Sequence, residues 1–203
     1  MRTFIAIDAS EALRLRLSET QSRIRKAVPN LKFVPDHQLH LTLKFLGDMD
    51  VEPNGSASGN GPLGELMRQL ASVSRGRGPF EIVPRELGTF GPRGSVSVLW
   101  AGFSDPSGEL HRLHSDLEWG LSQIGFPPED RPFKPHLTLA RNKNPNLSRH
   151  ILKALAGEPP FRLAPMRVTS MTLYESTLRP EGPVHTVLAS YEFEGQAGRG
   201  VAN

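Results

Sequence analysis

Two rhythms of apolar and polar positions divide the chain. Leu13, Leu17, Ile24 and Val28 recur at helical spacing, as do Leu110, Leu113, Leu117, Leu121 and Ile124. Each set predicts a helix with one buried stripe. Around them run short apolar or alternating stretches that predict strands. In chain order the expected elements begin with a strand over Phe4–Asp8, then a helix capped by Asp8 or Ser10 that reaches about Val28. A short strand over Lys32–Val34, a turn at Pro35–Gln38 and a further strand follow. Next come a helix over Leu63–Ser74 and strands over Phe80–Val83 and Ser95–Phe103, joined by the Gly-rich stretch 87–94. The second leucine stripe opens at Pro106 or Ser107 and stops at Gly125-Phe126-Pro127-Pro128. A strand after Pro135, a helix over Leu147–Ala156 and strands over Phe161–Tyr174 and Val184–Phe193 complete the order. Helices interspersed with partly amphipathic strands predict an α+β fold, with helices on the outer faces of antiparallel sheets.

One tetrapeptide occurs twice. His40-Leu41-Thr42-Leu43 lies in HLHLTLKFLGD and His136-Leu137-Thr138-Leu139 in FKPHLTLARN, 96 positions apart in a chain of 203. Period-two alternation puts His40 and Thr42 on one face of a strand, with Leu41 and Leu43 on the other. The same holds for His136 and Thr138 against Leu137 and Leu139. Each half therefore offers an imidazole and a hydroxyl backed by two leucines. If the halves pack as a pseudo-symmetric pair, the imidazoles converge on one cleft. The expectation is a single bilobal unit over residues 1–195. A flexible Gly/Ser-rich loop at about 51–62 and a frayed tail over 196–203 complete the plan.

Composition narrows the chemistry. The chain has no cysteine, which excludes disulfides, thiolate metal sites and cysteine nucleophiles. Its net charge of +3 suits a phosphate-bearing partner without demanding one. No apolar run reaches membrane-spanning length, and the short apolar start does not read as a signal peptide. A cytoplasmic monomer away from membranes is expected.

Four roles compete for the paired histidines. A purely structural role fits a lone His better than a repeated tetrapeptide. Zinc calls for a third His, Asp or Glu ligand, and the residue two positions on is Thr. A Thr nucleophile would have no use for symmetric duplication. Acid–base catalysis at phosphorus uses every member of both motifs. One imidazole takes a proton from the attacking oxygen, the other gives one to the leaving oxygen, and the hydroxyls hold the non-bridging oxygens. An unperturbed His pKa of about 6.5 lets both protonation states coexist near neutrality.

With these motifs the sequence resembles the two-histidine (2H) phosphoesterase superfamily, in particular its bacterial and archaeal RNA 2′,3′-cyclic phosphodiesterase branch, also called 2′–5′ RNA ligase. The stretches MRTFIAID, HLHLTLKFLGD, SVLWAGF, RPFKPHLTLAR and LYESTLRPEGPVHTVL carry the resemblance across nearly the whole chain. It departs in the Gly/Ser insertion after Asp48 and in His185, where Tyr is expected. The resemblance implies two antiparallel sheets lining a central cleft, no metal or other cofactor, and RNA with a 2′,3′-cyclic phosphate end as partner. It implies hydrolysis to a 2′-phosphomonoester, or joining to a 5′-hydroxyl through a 2′–5′ bond. It makes His136 the base and His40 the acid, although pseudo-symmetry leaves the reverse open, and Thr42 and Thr138 hold the phosphate. Other cyclic phosphates, among them cyclic nucleotides and ADP-ribose cyclic phosphate, and a non-catalytic RNA-binding role are the alternatives.

Strand parity adds supporting candidates. Lys44 shares the face of His40 and Thr42 and is expected near the phosphate, whereas Phe45 falls on the leucine face and is expected in the core. Arg141 has the wrong parity with His136 and reaches the cleft only if the strand bends or ends by Ala140. Arg131, Phe133 and Lys134 precede the second motif, where a ring can stack on a base and cations can meet a phosphate.

Overall fold

Ser10 starts the first helix, α1 (Glu11–Ala27), by accepting a hydrogen bond on Oγ from the Leu13 amide at 3.3 Å. The helix buries Leu13, Leu17 and Ile24, and Val28 caps it, also buried. The computed structural model describes residues 1–49, 61–161, 163–180 and 182–195. Most of the expected 51–62 loop and the 196–203 tail therefore lie outside the described residues. Gly61 and Pro62 belong to the second helix, α2 (Pro62–Ser74), as its cap and first residue. Proline is tolerated there because the first amides of a helix have no partner within it. Two more helices, α3 (Glu109–Ser122) and α4 (Ser148–Ala156), follow the predicted stripes.

Among the described residues nine strands form one curled, antiparallel sheet: β1 (Arg2–Asp8), β2 (Lys32–Phe33), β3 (His40–Asp48), β4 (Phe80–Phe90), β5 (Val98–Ser104), β6 (His136–Arg141), β7 (Met166–Val168), β8 (Ser170–Arg179) and β9 (Gly182–Glu192). Their order is β7-β4-β5-β6-β3-β1-β8-β9, with β2 paired to β6. The two expected sheets are the halves of this array. They meet where β3 and β6 pair through Leu41 and Leu137. Helices α1 and α4 pack together, as do α2 and α3, and their leucines form one buried cluster with Leu41, Leu43, Leu137 and Leu139. Each such leucine stabilises the fold by about 1.5–3 kcal/mol. The helices thus cover the leucine face.

Strand β4 runs through Phe90, beyond the expected end at Val83. Glycine marks a close approach here. A Cβ on Gly88 would lie 2.2 Å from Cζ2 of Trp100, which faces it across the β4–β5 pair, and one on Gly102 would lie 2.7 Å from Cζ3. The indole occupies the space that side chains at both positions would need. Gly88→Ala is therefore expected to cost about 1–3 kcal/mol by overpacking. Urea denaturation checks this, and an unchanged midpoint would contradict the placement of Trp100.

Candidate active site

The seam between the half-sheets sets the geometry. Leu41 and Leu137 are antiparallel partners. One residue to either side, that register sets His40 across from Thr138 and Thr42 across from His136. All four side chains share the face away from the helices, and all four are half-buried. Among the described residues neither hydroxyl has a hydrogen-bond partner, so both face the cleft with free capacity.

The two imidazoles are held in the same way. His40 Nδ1 lies 2.7 Å from the Gln38 carbonyl oxygen, and His136 Nδ1 lies 2.8 Å from that of Lys134. A carbonyl only accepts, so each Nδ1 carries the proton and donates. The lone pair of each neutral ring then sits on Nε2, free for chemistry. Each strand orients its histidine through the carbonyl two residues earlier, a contact built into the local chain.

Burial pushes both imidazoles below their ordinary pKa. For His40 desolvation dominates and, with the positive influence of His185 and Arg141, brings the value down to about 4, against opposing help from the Gln38 carbonyl and Asp8. For His136 desolvation again leads, the Lys134 carbonyl opposes it, and the charges of Lys134 and Arg141 add to the lowering. The ligand-free site therefore holds two neutral rings at pH 7.

Both motif strands bulge at the same place, and this corrects the parity of the flanking residues. In β3 the register against β1 passes from Thr42 to Lys44 and skips Leu43, and in β6 the register against β5 passes from Thr138 to Ala140 and skips Leu139. An extra residue in one strand exchanges the faces of everything after it. Lys44 turns inward to 2% exposure, where Nζ donates to Glu118 Oε1 at 2.7 Å and to the Pro127 carbonyl at 2.9 Å. It is committed to the helix side and is not a phosphate ligand. Phe45, expected in the core, is 62% exposed on the cleft face, paired with Phe4. Arg141 turns to the cleft by the equivalent bulge, close enough for its charge to act on both histidines. The bulged Leu139 carbonyl remains satisfied, accepting from Gln21 Nε2 at 2.8 Å and from the Val34 amide at 2.9 Å.

Two further expectations change with the loop before β6. Phe133 stacks on His114 of α3 with centroids 3.9 Å apart and meets His111 edge-on at 5.7 Å, so its ring is occupied on the helix side and does not offer a platform to a base. Arg131 is exposed and forms no hydrogen bond or ion pair among the described residues. Lys134 lies on the other side of that loop, its Nζ 4.2 Å from the Trp100 ring centroid and 5.6 Å from that of Phe90.

Several cleft residues escaped the sequence reading. Asp8 pairs with His40 across β1–β3 and accepts hydrogen bonds from Tyr174 Oη at 2.6 Å and Thr172 Oγ1 at 3.1 Å. Phe4 lies beneath His40 with centroids 4.9 Å apart, and His185 on β9 meets His40 edge-on at 5.5 Å. Asp8 and Phe4 share the parity of the cleft face of β1, a signal legible only once β1 is known to lie beside β3. Among the described residues no three His, Asp or Glu side chains gather as a metal site, and no helix is long and apolar enough to cross a membrane.

The comparisons with known proteins meet this geometry. The family model of the 2′–5′ RNA ligase superfamily matches residues 11–179. The chain belongs to that superfamily. It is 35% identical over 187 residues to the RNA 2′,3′-cyclic phosphodiesterase of Methanothermobacter thermautotrophicus, covering 92% of this chain and 95% of the relative. The protein of that name from Thermus thermophilus is also 35% identical, over 98% of this chain and 93% of its own length. Among solved structures, TT0787 of Thermus thermophilus superposes with a TM-score of 0.78 at 32% identity, covering 97% of this chain and all of that one. LigT of Escherichia coli in complex with 3′-AMP gives 0.68 at 25% identity, over 95% of this chain and 98% of LigT. Superfamily membership and the α+β fold thus rest on sequence and structure together.

The burial of Lys44 yields a test. Lys44→Met, which keeps the stem and removes the charge, is expected to leave turnover within about threefold. Lys44→Ala, which adds a hole to the loss of Glu118's ammonium partner, is expected to destabilise the fold by about 3 kcal/mol. Steady-state kinetics and chemical denaturation of the two variants check this. A hundredfold loss of turnover in a folded Lys44→Met protein would return Lys44 to the phosphate.

Proposed function

We propose that the chain hydrolyses RNA 2′,3′-cyclic phosphate ends to 2′-phosphomonoesters, the activity for which its relatives are named. The observation that carries the reading is the pair of imidazoles across the β3–β6 seam. Each donates Nδ1–H to the carbonyl two residues before it, and each leaves Nε2 facing the cleft. In-line displacement at phosphorus needs a base on one side and an acid on the other, and this arrangement supplies both.

His136 Nε2 takes a proton from water as the water oxygen bonds to phosphorus. The P–O3′ bond breaks, and the departing 3′ oxygen receives the proton of His40 Nε2. The product is a 2′-phosphomonoester with a free 3′-hydroxyl. A 5′-hydroxyl in place of the water gives a 2′–5′ phosphodiester by the same displacement. The Thr42 and Thr138 hydroxyls donate to the non-bridging oxygens, and Arg141 offsets the charge that gathers there. Phe45 presents an exposed ring on the same face, suited to the terminal base. Charges near the two rings favour this division of labour. At His40 the Asp8 carboxylate supports a proton against His185 and Arg141, whereas at His136 the neighbouring charges, Lys134 and Arg141, both oppose one. The phosphodiester anion supplies the remaining negative charge that an imidazolium needs.

Incubation with a short RNA ending in a 2′,3′-cyclic phosphate, in the presence of EDTA, should yield the 2′-phosphate. His40→Ala and His136→Ala should each lower kcat by about 10²–10⁴-fold. A 3′-phosphate product, dependence on added metal, or turnover of cyclic nucleotides alone would sink the reading. The pH dependence follows from the free-enzyme values. One ring must be neutral and one protonated, and both titrate below 6.5, so kcat/KM should peak on the acid side of pH 6.5. The kcat profile should lie higher, because bound phosphate favours the imidazolium. A kcat/KM optimum above pH 7 would contradict the assignment.

A further inference from the structure

Lys134 is attached to His136 twice over. Its carbonyl accepts the Nδ1–H that orients the ring, at 2.8 Å. Its ammonium rests on an aromatic shelf, 4.2 Å from the Trp100 centroid and 5.6 Å from that of Phe90. The shelf is itself a neighbour of the histidine. Phe90 meets the His136 ring edge-on at 4.9 Å, Trp100 lies 6.4 Å away, and the two shelf rings are 5.0 Å apart. The shelf exists because Gly88 and Gly102 vacate the space that the indole fills. Among the described residues the ammonium has no carboxylate partner.

We propose that Lys134 is a positioning residue for His136, its ammonium seated on the Trp100–Phe90 shelf so that a fixed, unneutralised cation stands beside the imidazole and adds to burial in keeping it in the neutral, proton-accepting form. A face-on ring holds a cation without cancelling its charge, unlike a carboxylate. Lys134 is itself solvent-exposed, so the shelf fixes where its charge sits while solvent screens part of its field. The other charged groups around His136 are few. Arg141 on its own strand is the second cation acting on the ring. Across the β3–β6 seam stands His40, neutral in the free protein. On β4, Glu86 approaches the Gly102 position within 3.4 Å through Oε1, yet forms no ion pair with Lys134. The positive field at His136 therefore comes from Lys134 and Arg141, and Lys134 is the one whose backbone also fixes the ring. At His40 the carbonyl belongs to Gln38 and the neighbouring groups are His185, the Asp8 carboxylate and Arg141, with no lysine seated on a ring beside it. The asymmetry separates two otherwise equivalent histidines by adding a lysine cation at His136 alone.

The inference rests on the two-histidine reading only for its consequence in turnover; the cation's effect on the ring is measurable by itself. The imidazole of His136 in the intact protein would be titrated by NMR, in the wild type and in Lys134→Met, Lys134→Arg and Trp100→Leu. Lys134→Met should raise the His136 midpoint by about half a unit or more and leave that of His40 in place. One limb of the kcat/KM profile should move up with it. Lys134→Arg should keep the wild-type midpoint. Trp100→Leu, which removes the seat and spares the charge, should shift His136 in the same direction by a smaller amount. An unmoved midpoint in Lys134→Met would overturn the proposal, as would equal shifts in Lys134→Met and Lys134→Arg, which would assign the effect to packing. Loss of the whole reaction mechanism would show instead as His136→Ala turning over normally, whatever the titration gives.

Discussion

The whole site depends on one antiparallel contact between two short strands. Leu41 and Leu137 pair across the seam of the sheet, with the helices' leucines packed under them. Because side chains alternate along a strand, burying those leucines forces His40, Thr42, His136 and Thr138 to the opposite face. A slip of one residue would send the catalytic candidates into the core and the leucines into the cleft. Hydrophobic burial thus does the aiming, and the register of one pair determines which polar groups meet.

The shared bulge refines that arrangement. Skipping Leu43 in β3 and Leu139 in β6 ends the simple alternation one residue after each Thr. Past that point the chain delivers Phe45 to the cleft on one side and Arg141 on the other. It draws Lys44 and Ala140 inward. The equivalent positions carry different chemistry, an aromatic ring against a guanidinium, and the duplicated frame thereby becomes an asymmetric site. Lys44 takes a structural duty in exchange, tying β3 to α3 through Glu118 and to the following loop through Pro127.

Asymmetry also governs the protons. Both imidazoles lose affinity for a proton through burial, the common consequence of lining a cleft. What differs is the company each keeps: Arg141 acts on both, while His40 also has a second imidazole and a carboxylate nearby and His136 has Lys134. A phosphate anion entering between them supplies the negative charge the free site lacks. Binding and protonation are therefore coupled by electrostatics, with no moving part required.

Much of this was legible in the sequence, and for a physical reason. Periodicity reports burial, so the helices, most strands and the sharing of a face by each His and Thr could be read locally. The repeated tetrapeptide in its two contexts pointed to the superfamily and the chemistry. Where the strands bulge, which neighbours they acquire and which glycines make room for Trp100 depend on partners far along the chain. Parity alone therefore misplaced Lys44 and Phe45, and a position before the second motif could not show that Phe133 is taken up by His114 while Lys134 settles on a distant pair of rings. Local pattern determines which groups a strand can present; tertiary packing decides how far the pattern runs unbroken and what stands beside each group, because bulges and aromatic contacts are set by space shared with other strands.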